Sequence, residues 1–287
     1  MIVIAGGTGR LGRLLVGHLG AEHRVRVLSR TPEGAASLQH PRVEVVQGDV
    51  RDPANLHRAC RGARVVVSAV HGFTGTRGNS PATVDRDGNR HLVDAAGAHG
   101  AHVVLMSIVG ASRDSPMELL RMKHAAERYL VDSGVPATVV RATAFGELWA
   151  EILRTTAGRS GRPIVFGAGR QPIDFVSVAD VAALLHRVVL DPATRGQTLE
   201  IGGPEQLTMN ELAAAVQAAD GRTAPARHIP VGALWLAAQT IGRIRPALGR
   251  QMRAAIAMDR VALPAADLAG RRQFSDLPCT VANQFVR

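Results

Sequence analysis

The feature that most constrains this chain is a glycine-rich segment close to its first residue. Gly6, Gly9 and Gly12 recur at every third position, directly after the apolar run 2–5. Residues 11–19 follow with leucines at helical spacing, among them Leu14. A turn of this kind between a strand and a helix needs glycine for tightness, for close backbone approach and for helix packing. The first N–H groups of such a helix favour an anion, which predicts a phosphate-bearing ligand.

The rest of the first half alternates short apolar runs with amphipathic segments. The predicted strands are 2–5, 24–29, 43–47, 65–70, 102–106 and 137–141, and the predicted helices are 11–19, 89–99 and 117–133. Strands that alternate with helices predict an α/β fold, a Rossmann doubly wound parallel sheet.

The pattern changes after about residue 141. A short strand over 174–178, a helix over 179–190, a strand over 198–201 and a helix over 209–220 are predicted there. Thr208 with Glu211 three residues later fits a capping box for the last of these helices. We therefore expect a dinucleotide-binding Rossmann domain over 1–150. Residues 151–287 would hold the remaining sheet elements and a small C-terminal substrate-side lid, without forming an independent domain.

Composition limits the binding partners and the cellular compartment that we expect for this chain. The net charge is +10, but the arginines are spread along the chain and aromatic residues are only 3%, so nucleic acid is not an expected partner. The longest apolar run of the second half, near 232–241, is too short for a membrane span. Cys60 and Cys279 lack metal-ligand spacing, so no metal is expected and a reducing compartment is indicated. Because the first residues already form a predicted strand, we expect a cytoplasmic protein without a signal peptide.

The end of the second predicted strand indicates which dinucleotide is bound. Sites for NAD place a carboxylate there for the ribose hydroxyls, whereas this chain has Ser29 followed by Arg30. Arg30, with Arg10 inside the glycine turn, would attract the additional phosphate of NADP(H), which is therefore expected in preference to NAD(H). The alternative is that both are surface arginines of an arginine-rich chain.

Several short motifs, in this order along the chain, resemble one family. They are Gly6-Gly7-Thr8-Gly9-Arg10-Leu11-Gly12, Gly48-Asp49-Val50, Asp94-Ala95-Ala96, Leu105-Met106-Ser107, Lys123 with Glu127, Ser133-Gly134-Val135, Val140-Arg141 and Val178-Ala179-Asp180-Val181-Ala182. The chain resembles the NmrA-like atypical branch of the short-chain dehydrogenase/reductase superfamily, over roughly residues 1–215.

The resemblance implies roles for individual residues. Those expected to bind the cofactor are Gly6, Thr8, Gly9, Arg10, Leu11 and Gly12 at the pyrophosphate, Arg30 at the 2′-phosphate, Asp49 and Val50 at the adenine, Ala69 and Val70 at the ribose, and Thr143 and Phe145 at the nicotinamide end. Lys123 would hold the nicotinamide ribose or act in catalysis, and Ser107 stands near the catalytic serine position of the family.

The departures from the family bear on catalysis. Active members of the wider superfamily carry a tyrosine four residues before the lysine, on the same helix face. Leu119 stands there and cannot transfer a proton, while Tyr129, the only tyrosine, is expected to be a packing residue. Asp85 stands where extended members carry an asparagine. Lys123 is the single lysine among 34 basic residues, which favours a specific need for an ammonium group.

Two functional hypotheses remain open at this point. The first is an NADPH-dependent oxidoreductase that reduces a small carbonyl, enone or quinone, with Lys123 orienting the cofactor and polarising the substrate. The second is a non-catalytic NADP(H) sensor whose occupancy alters binding to a partner. Phe145 and Trp235, in a well-developed C-terminal region, favour the enzyme, and the missing tyrosine favours the sensor. His71 and His124 are reserve proton carriers.

Overall fold

The computed structural model describes residues 1–38, 40–73, 75 and 78–260. These residues form two compact units whose segments alternate along the chain. Unit 1 contains Met1–Arg113, Leu119–Arg141 and Val181–Leu199, and unit 2 contains Asp114–Glu118, Ala142–Asp180 and the described chain from Glu200 onward. The division after residue 150 that the sequence suggests stays a prediction. Cys279 and the rest of the predicted lid after Arg260 lie outside the described residues.

A seven-stranded sheet carries the fold, in the order β3-β2-β1-β4-β5-β6-β9. Its strands are β1 (Ile2–Ala5), β2 (Val25–Ser29), β3 (Val43–Gln47), β4 (Val65–Ser68), β5 (His102–Ile108), β6 (Ala137–Ala142) and β9 (Thr198–Ile201). The pairs that β1 makes with β2 and with β4 are both parallel. The predicted Rossmann-like α/β fold is confirmed. The strand order reverses between β1 and β4, the position where open parallel sheets bind their ligands.

The helices follow the strands in the expected order. They are α1 (Arg10–Gly20), α2 (Pro53–Cys60), α3 (Asn89–Ala98), α4 (Glu118–Asp132), α5 (Gly146–Ala157), α6 (Val178–Leu190), α7 (Met209–Ala219), α8 (Val231–Ile244) and α9 (Pro246–Arg260), with a π-helical segment over Pro81–Gly88. The apolar face of α1 buries Leu11, Leu15 and Leu19. Leu14, which the sequence places on the same face, is 40% exposed, because its position is rotated toward solvent.

Unit 1 has an aliphatic core between sheet and helices. Its fully buried members include Val3, Val66, Leu56, Leu92 and Leu105. The side chains that β1 and β4 present to this core are β-branched or small, as expected for strands covered on both faces. Such a core fixes the carboxyl ends of the strands, and the candidate site lies there.

Unit 2 has its own core and two small sheets. Antiparallel β8 (Pro172–Asp174) and β10 (Gln206–Thr208) form one sheet, and parallel β7 (Ile164–Phe166) and β11 (Arg227–Ile229) form the other. The predicted strand over 174–178 is wrong, since the strand ends at Asp174. The following residues are redirected because Val176 forms a single parallel bridge to Phe145.

The start of α7 follows the sequence prediction closely. The hydroxyl of Thr208 accepts from the backbone N–H of Glu211, and the Glu211 carboxylate accepts from the backbone N–H of Thr208 at 2.7 Å. The predicted capping box is therefore confirmed. Beyond it, α8 and α9 form a helical hairpin in which Gly242 and Gly249 approach so closely that a Cβ on Gly249 would lie 2.7 Å from the Cα of Gly242.

Candidate functional site

The glycine turn after β1 is closed by backbone contacts that exclude side chains. Gly6 has φ +88°, and a Cβ there would lie 2.5 Å from the carbonyl oxygen of Ala69. A Cβ on Gly12 would overlap the carbonyl oxygen of Gly6. The N–H of Gly9 donates to that same carbonyl at 3.0 Å. The turn therefore has its shape only because these positions are glycine.

The start of α1 is open to an anion. Gly9 is the N-cap residue and provides no side-chain hydrogen bond, and the first turn of the helix contains no acidic residue. The first N–H groups of an α-helix have no partner within the helix, and the helix dipole places positive charge there. Arg13 donates from Nε to the carbonyl oxygen of Thr8 at 2.8 Å, which adds a guanidinium beside the turn. This geometry fits a pyrophosphate.

A second group of charges lies at the ends of β2 and β3. The N–H of Gly48 donates to the carbonyl oxygen of Ser29 at 2.9 Å, which brings the segment after β3 beside the segment after β2. Arg51 holds the Asp49 carboxylate with Nε at 3.0 Å and Nη2 at 2.5 Å. This hydrogen bonding lowers the pKa of Asp49, and the charge of exposed Arg30 lowers it further.

Arg51 is a site residue that sequence reasoning missed. The available signal was a basic residue two positions after Asp49. Val50, predicted at the adenine, is 7% exposed and belongs to the core of unit 1.

The residues that follow β4 pack against the glycine turn. The N–H of Ala69 donates to the carbonyl oxygen of Ala5 at 2.9 Å, so the backbone after β4 continues alongside β1. The structure therefore brings the predicted residues Ala69 and Val70 beside Gly6, at the reversal of strand order.

Lys123 is buried beside the residues that follow β4. It lies on α4 and is 3% exposed. Its Nζ donates to the carbonyl oxygens of Val70 and Met106, each at 3.0 Å, and lies 3.0 Å from Oδ1 of Asp85. The two carbonyl oxygens take up two of the three N–H donors of the ammonium group, whereas Asp85 Oδ1 forms an ion pair with it and no hydrogen bond. In this structure Lys123 ties the end of β4, β5 and the π-helical segment together.

Asp85 is the partner that sequence reasoning did not assign. Its side chain is 0% exposed, and its Oδ2 accepts from the N–H of Gly72 at 2.8 Å. It lies in the π-helical segment, which begins with a capping box between Ser80 and Thr83. The signal in the sequence was the aspartate at a position where relatives carry asparagine. A single carboxylate thus holds both Lys123 and the segment that follows β4.

The hydroxyl of Ser107 has no partner among the residues that the structure describes. Ser107 is 0% exposed near the carboxyl end of β5, and its Oγ is buried. Buried hydroxyl groups are seldom left without a hydrogen bond, so this one marks a position where a ligand group could bind. Together with the open glycine turn, it supports the fit of a dinucleotide.

The predicted nicotinamide-end residues lie in unit 2. Thr143 follows β6, and its buried Oγ1 has no partner within the described part of the chain. Phe145 is the N-cap residue of α5 and is half-buried. Glu147 accepts from Ser177 Oγ at 2.7 Å and from the N–H of Val178 at 3.1 Å, so it caps α6.

Tyr129 and the two reserve proton carriers, His71 and His124, lie in different surroundings. Tyr129 donates to Asp94 at 2.6 Å and packs against Arg90, so it is a packing residue as predicted. Packing around its ring lowers the pKa of His71, an effect that Asp85 opposes and Lys123 reinforces. Nδ1 of His124 is buried without a hydrogen-bond partner among the described residues. His71 is therefore the reserve proton carrier whose pKa responds to both members of the Lys123–Asp85 pair.

Residues 1–38, 40–73, 75 and 78–260 contain neither a metal site nor a membrane-spanning helix. In this range no group of three or more His, Cys, Asp or Glu side chains could hold a metal ion. No helix in the same range is long and apolar enough to cross a membrane.

An open glycine turn at the strand-order reversal of a parallel sheet defines a nucleotide-binding protein of the Rossmann class. Comparison with known proteins makes this assignment specific. A family model described as NAD(P)H-binding matches residues 6–192. The chain belongs to this NAD(P)H-binding family, which confirms the resemblance to dinucleotide-binding reductases at that level.

Three similar proteins are informative. The chain is 33% identical to a (4-alkanoyl-5-oxo-2,5-dihydrofuran-3-yl)methyl phosphate reductase of Streptomyces griseus, over 77% of this chain and 74% of the relative. It is 28% identical to an NAD(P)H azoreductase of Xenophilus azovorans, over 80% of this chain and 77% of the relative. A crystal structure of the NADPH-dependent quinone oxidoreductase of Escherichia coli with NADPH superposes with TM-score 0.81 at 22% identity, over 100% and 98% of the two chains.

Proposed function

We propose that the protein is an NADPH-dependent oxidoreductase that reduces a small conjugated acceptor, such as an enone, a quinone or a carbonyl compound. The observation that carries the proposal is the glycine turn, whose backbone closes on Ala69 and leaves the first N–H groups of α1 without a side-chain cap, as an anion site requires. When bound, the dinucleotide supplies the hydride. The protein supplies the binding groups and the geometry.

The preference for NADP(H) rests on the charges after β2 and β3. Arg30 is exposed at the end of β2, where an NAD site would carry a carboxylate. Asp49 nearby would repel a 2′-phosphate, but its charge is compensated by Arg51 at 2.5–3.1 Å. The region is therefore positive through Arg30, with Arg10 of the glycine turn as a second guanidinium.

We assign Lys123 and Ser107 to the reaction end of the site. The three contacts of Lys123 hold the Val70 carbonyl in place, so Lys123 would act first by fixing the end of β4 beside the ribose. Two of its three N–H groups donate to the carbonyl oxygens of Val70 and Met106, so the third would polarise the substrate. Ser107, whose hydroxyl is buried without a partner among the described residues, would donate a hydrogen bond to the substrate or to the cofactor.

The substrate class is supported by two relatives. The Streptomyces griseus enzyme acts on an unsaturated lactone that carries a second carbonyl, and the Xenophilus azovorans enzyme is an azoreductase. Conjugated carbonyl and azo groups both accept a hydride at an electron-poor atom. A conjugated acceptor is therefore the class that we propose for this chain.

The decisive experiment measures binding and turnover separately. Fluorescence titration with NADPH and NADH gives the two dissociation constants, and NADPH oxidation over a panel of quinones, enones, azo dyes and aldehydes gives activity. Arg30→Asp should weaken NADPH binding about tenfold or more while changing NADH binding little, since a charge-assisted contact to phosphate is lost. Equal losses for both dinucleotides would show that Arg30 does not bind the 2′-phosphate.

A second candidate function is a non-catalytic NADP(H) sensor. Two observations favour it: Leu119 replaces the tyrosine of active relatives, and Lys123 is held by two backbone carbonyls and by an ion pair with Asp85. In that case NADPH binds, but no acceptor in the panel is reduced faster by the wild type than by Lys123→Ala. Lys123-dependent oxidation of NADPH with any acceptor would exclude the sensor.

A further inference from the structure

Helix α8 holds half of the large apolar side chains that are exposed in the described part of the chain. There are eight such side chains, and the four in α8 are Trp235, Leu236, Ile241 and Ile244. Ile244 is 84% exposed, more than any other of the eight. Single exposed apolar residues are ordinary on a protein surface, whereas a concentration of them marks an interaction site. None of the four belongs to the candidate dinucleotide site.

The packing of α8 against α9 fixes which side of α8 faces outward. Gly242 lies against Gly249 of α9, so the side of α8 that contains Gly242 is covered. A position two residues further along a helix lies about 200° around its axis, on the opposite side. Ile244 is at that position, and Leu236 and Thr240 precede it at intervals of four residues, all three exposed. Because side chains at this spacing share one side of a helix, these residues form a common outward side.

The charge that accompanies the outward side of α8 is positive. Helices α8 and α9 together contain five arginines and a single acidic residue. Arg243 and Arg245 stand directly before and after Ile244, and both are exposed. Arg250 is partly compensated, because Glu118 lies 3.8 Å from it. The most exposed apolar side chain of the described residues is therefore flanked by two cations.

The surface of an anionic lipid bilayer matches this combination of apolar and basic side chains. Helices that lie in the membrane interface bury apolar side chains at the start of the acyl region and keep basic side chains at the headgroups. Tryptophan favours the same interfacial depth, and Trp235 lies at one edge of the outward side. A second copy of the same surface fits less well, because a symmetric contact would bring the arginines of the two copies together.

We propose that the outward side of α8 binds the surface of an anionic lipid bilayer. Leu236 and Ile244 enter the region below the headgroups, and Arg243 and Arg245 contact the lipid phosphates. Neither contribution suffices alone: the apolar side chains provide burial, and the two guanidinium groups select an anionic surface over a neutral one. The contact is peripheral and requires no membrane-spanning segment.

Flotation of the full-length protein with lipid vesicles tests the apolar part of this proposal. Vesicles of equal parts phosphatidylglycerol and phosphatidylcholine should bind the protein, and the measured quantity is the lipid concentration that binds half of it. Ile244→Ser should weaken this binding about fivefold or more, because apolar burial is lost. Val131→Ser is the matched control, since Val131 is 65% exposed but lies on α4. It should leave the binding unchanged.

The charged part is tested with the same vesicles and with vesicles of phosphatidylcholine alone. Each basic residue near an anionic surface strengthens binding about fivefold, so Arg243→Gln combined with Arg245→Gln should weaken binding to the mixed vesicles about tenfold or more. Pure phosphatidylcholine should bind the wild type more weakly by at least the same factor. The control combines Arg24→Gln with Arg61→Gln, two exposed arginines of unit 1, and should stay within about twofold of the wild type.

Each result supports or overturns the assignment. Binding that requires phosphatidylglycerol and depends on both Ile244 and the two arginines supports a lipid surface. No binding to the mixed vesicles, or equal weakening by the α8 variants and their controls, overturns it. A dimer in sedimentation velocity that Ile244→Ser dissociates would also overturn it, in favour of a second copy of the chain. No dinucleotide or acceptor enters these measurements, so their failure leaves the proposed function untouched.

Discussion

Lys123 and Asp85 form an ion pair that water does not reach. Their side chains are 4% and 0% exposed, and the charged atoms lie 3.0 Å apart. Removing one partner of such a pair leaves the other charge buried and uncompensated. We therefore expect Lys123→Met to lower the free energy of unfolding by about 3–5 kcal/mol, measured by urea denaturation.

The same helix offers a matched control for this pair. Arg128 and Asp132 are paired at 2.8 Å on the exposed surface of α4. Arg128→Ala should cost less than about 0.5 kcal/mol, since solvent screens exposed pairs. Adding Asp85→Leu to Lys123→Met should restore part of the lost stability, because no unpaired charge then remains buried. Independent, additive losses would contradict the coupling.

Sequence reasoning identified Lys123 but not its surroundings. Its uniqueness among basic residues indicated a special role, and the structure shows it buried. Its acceptors come from residues 70, 85 and 106, which no local pattern connects with position 123. The contact between Arg51 and Asp49 was also missed, although Arg51 directly follows the Gly48-Asp49-Val50 motif, because a pattern of residue types does not fix side-chain direction.

Two glycines of α1, Gly12 and Gly17, differ in the space available for a side chain. A Cβ on Gly12 would overlap the carbonyl oxygen of Gly6, whereas a Cβ on Gly17, five residues further along α1, would meet nothing within 4 Å. Gly12→Ala should therefore distort the turn and abolish measurable NADPH binding in a fluorescence titration. Gly17→Ala should retain binding and raise stability by about 0.5–1 kcal/mol, because alanine favours the helix. Undiminished binding by Gly12→Ala would show that the turn tolerates a side chain.

Helices and strands with a clear periodicity of apolar residues were predicted well. Elements whose form depends on tertiary contacts were not. The predicted strand over 43–47 agrees with β3, and the helix predicted over 209–220 agrees with α7 to one residue. Helix α5 was missed because its N-cap residue, Phe145, gives no side-chain capping signal. The segment 174–178 was wrongly predicted as a strand because Phe175, Val176 and Val178 are residues that favour strands, but Val176 forms only one isolated bridge, to Phe145.

Acid should destabilise the whole molecule through a buried histidine. Thr138 donates to the carbonyl oxygen of Thr194 at 2.9 Å, so its hydroxyl accepts from Nε2 of His102 at 3.1 Å. Nδ1 of His102 is buried, and nothing in the described ranges bonds to it. Burial lowers the pKa of His102, and Arg195 lowers it further.

The sign of the pH dependence follows from this lowered pKa. Below about pH 6.5 the unfolded chain binds a proton that the folded protein does not, so stability is complete above that pH and decreases as pH falls. Urea unfolding at pH 7.5 and 5.5 should therefore show a loss in the wild type that is smaller in His102→Gln. The exposed His99 provides the control variant His99→Gln, which should keep the wild-type dependence. Identical slopes for all three proteins would exclude His102 as the cause.

The alternating segments of the two units set an order of events during synthesis. Unit 1 includes Val181–Leu199, so a ribosome must translate about two thirds of the chain before this unit has all its parts. Until then the nascent sheet presents β6 without β9, which exposes a strand edge. A fragment that stops at residue 150 would keep the glycine turn but lack the edge strand β9. We expect such a fragment to aggregate during expression, because the edge of β6 is then uncovered.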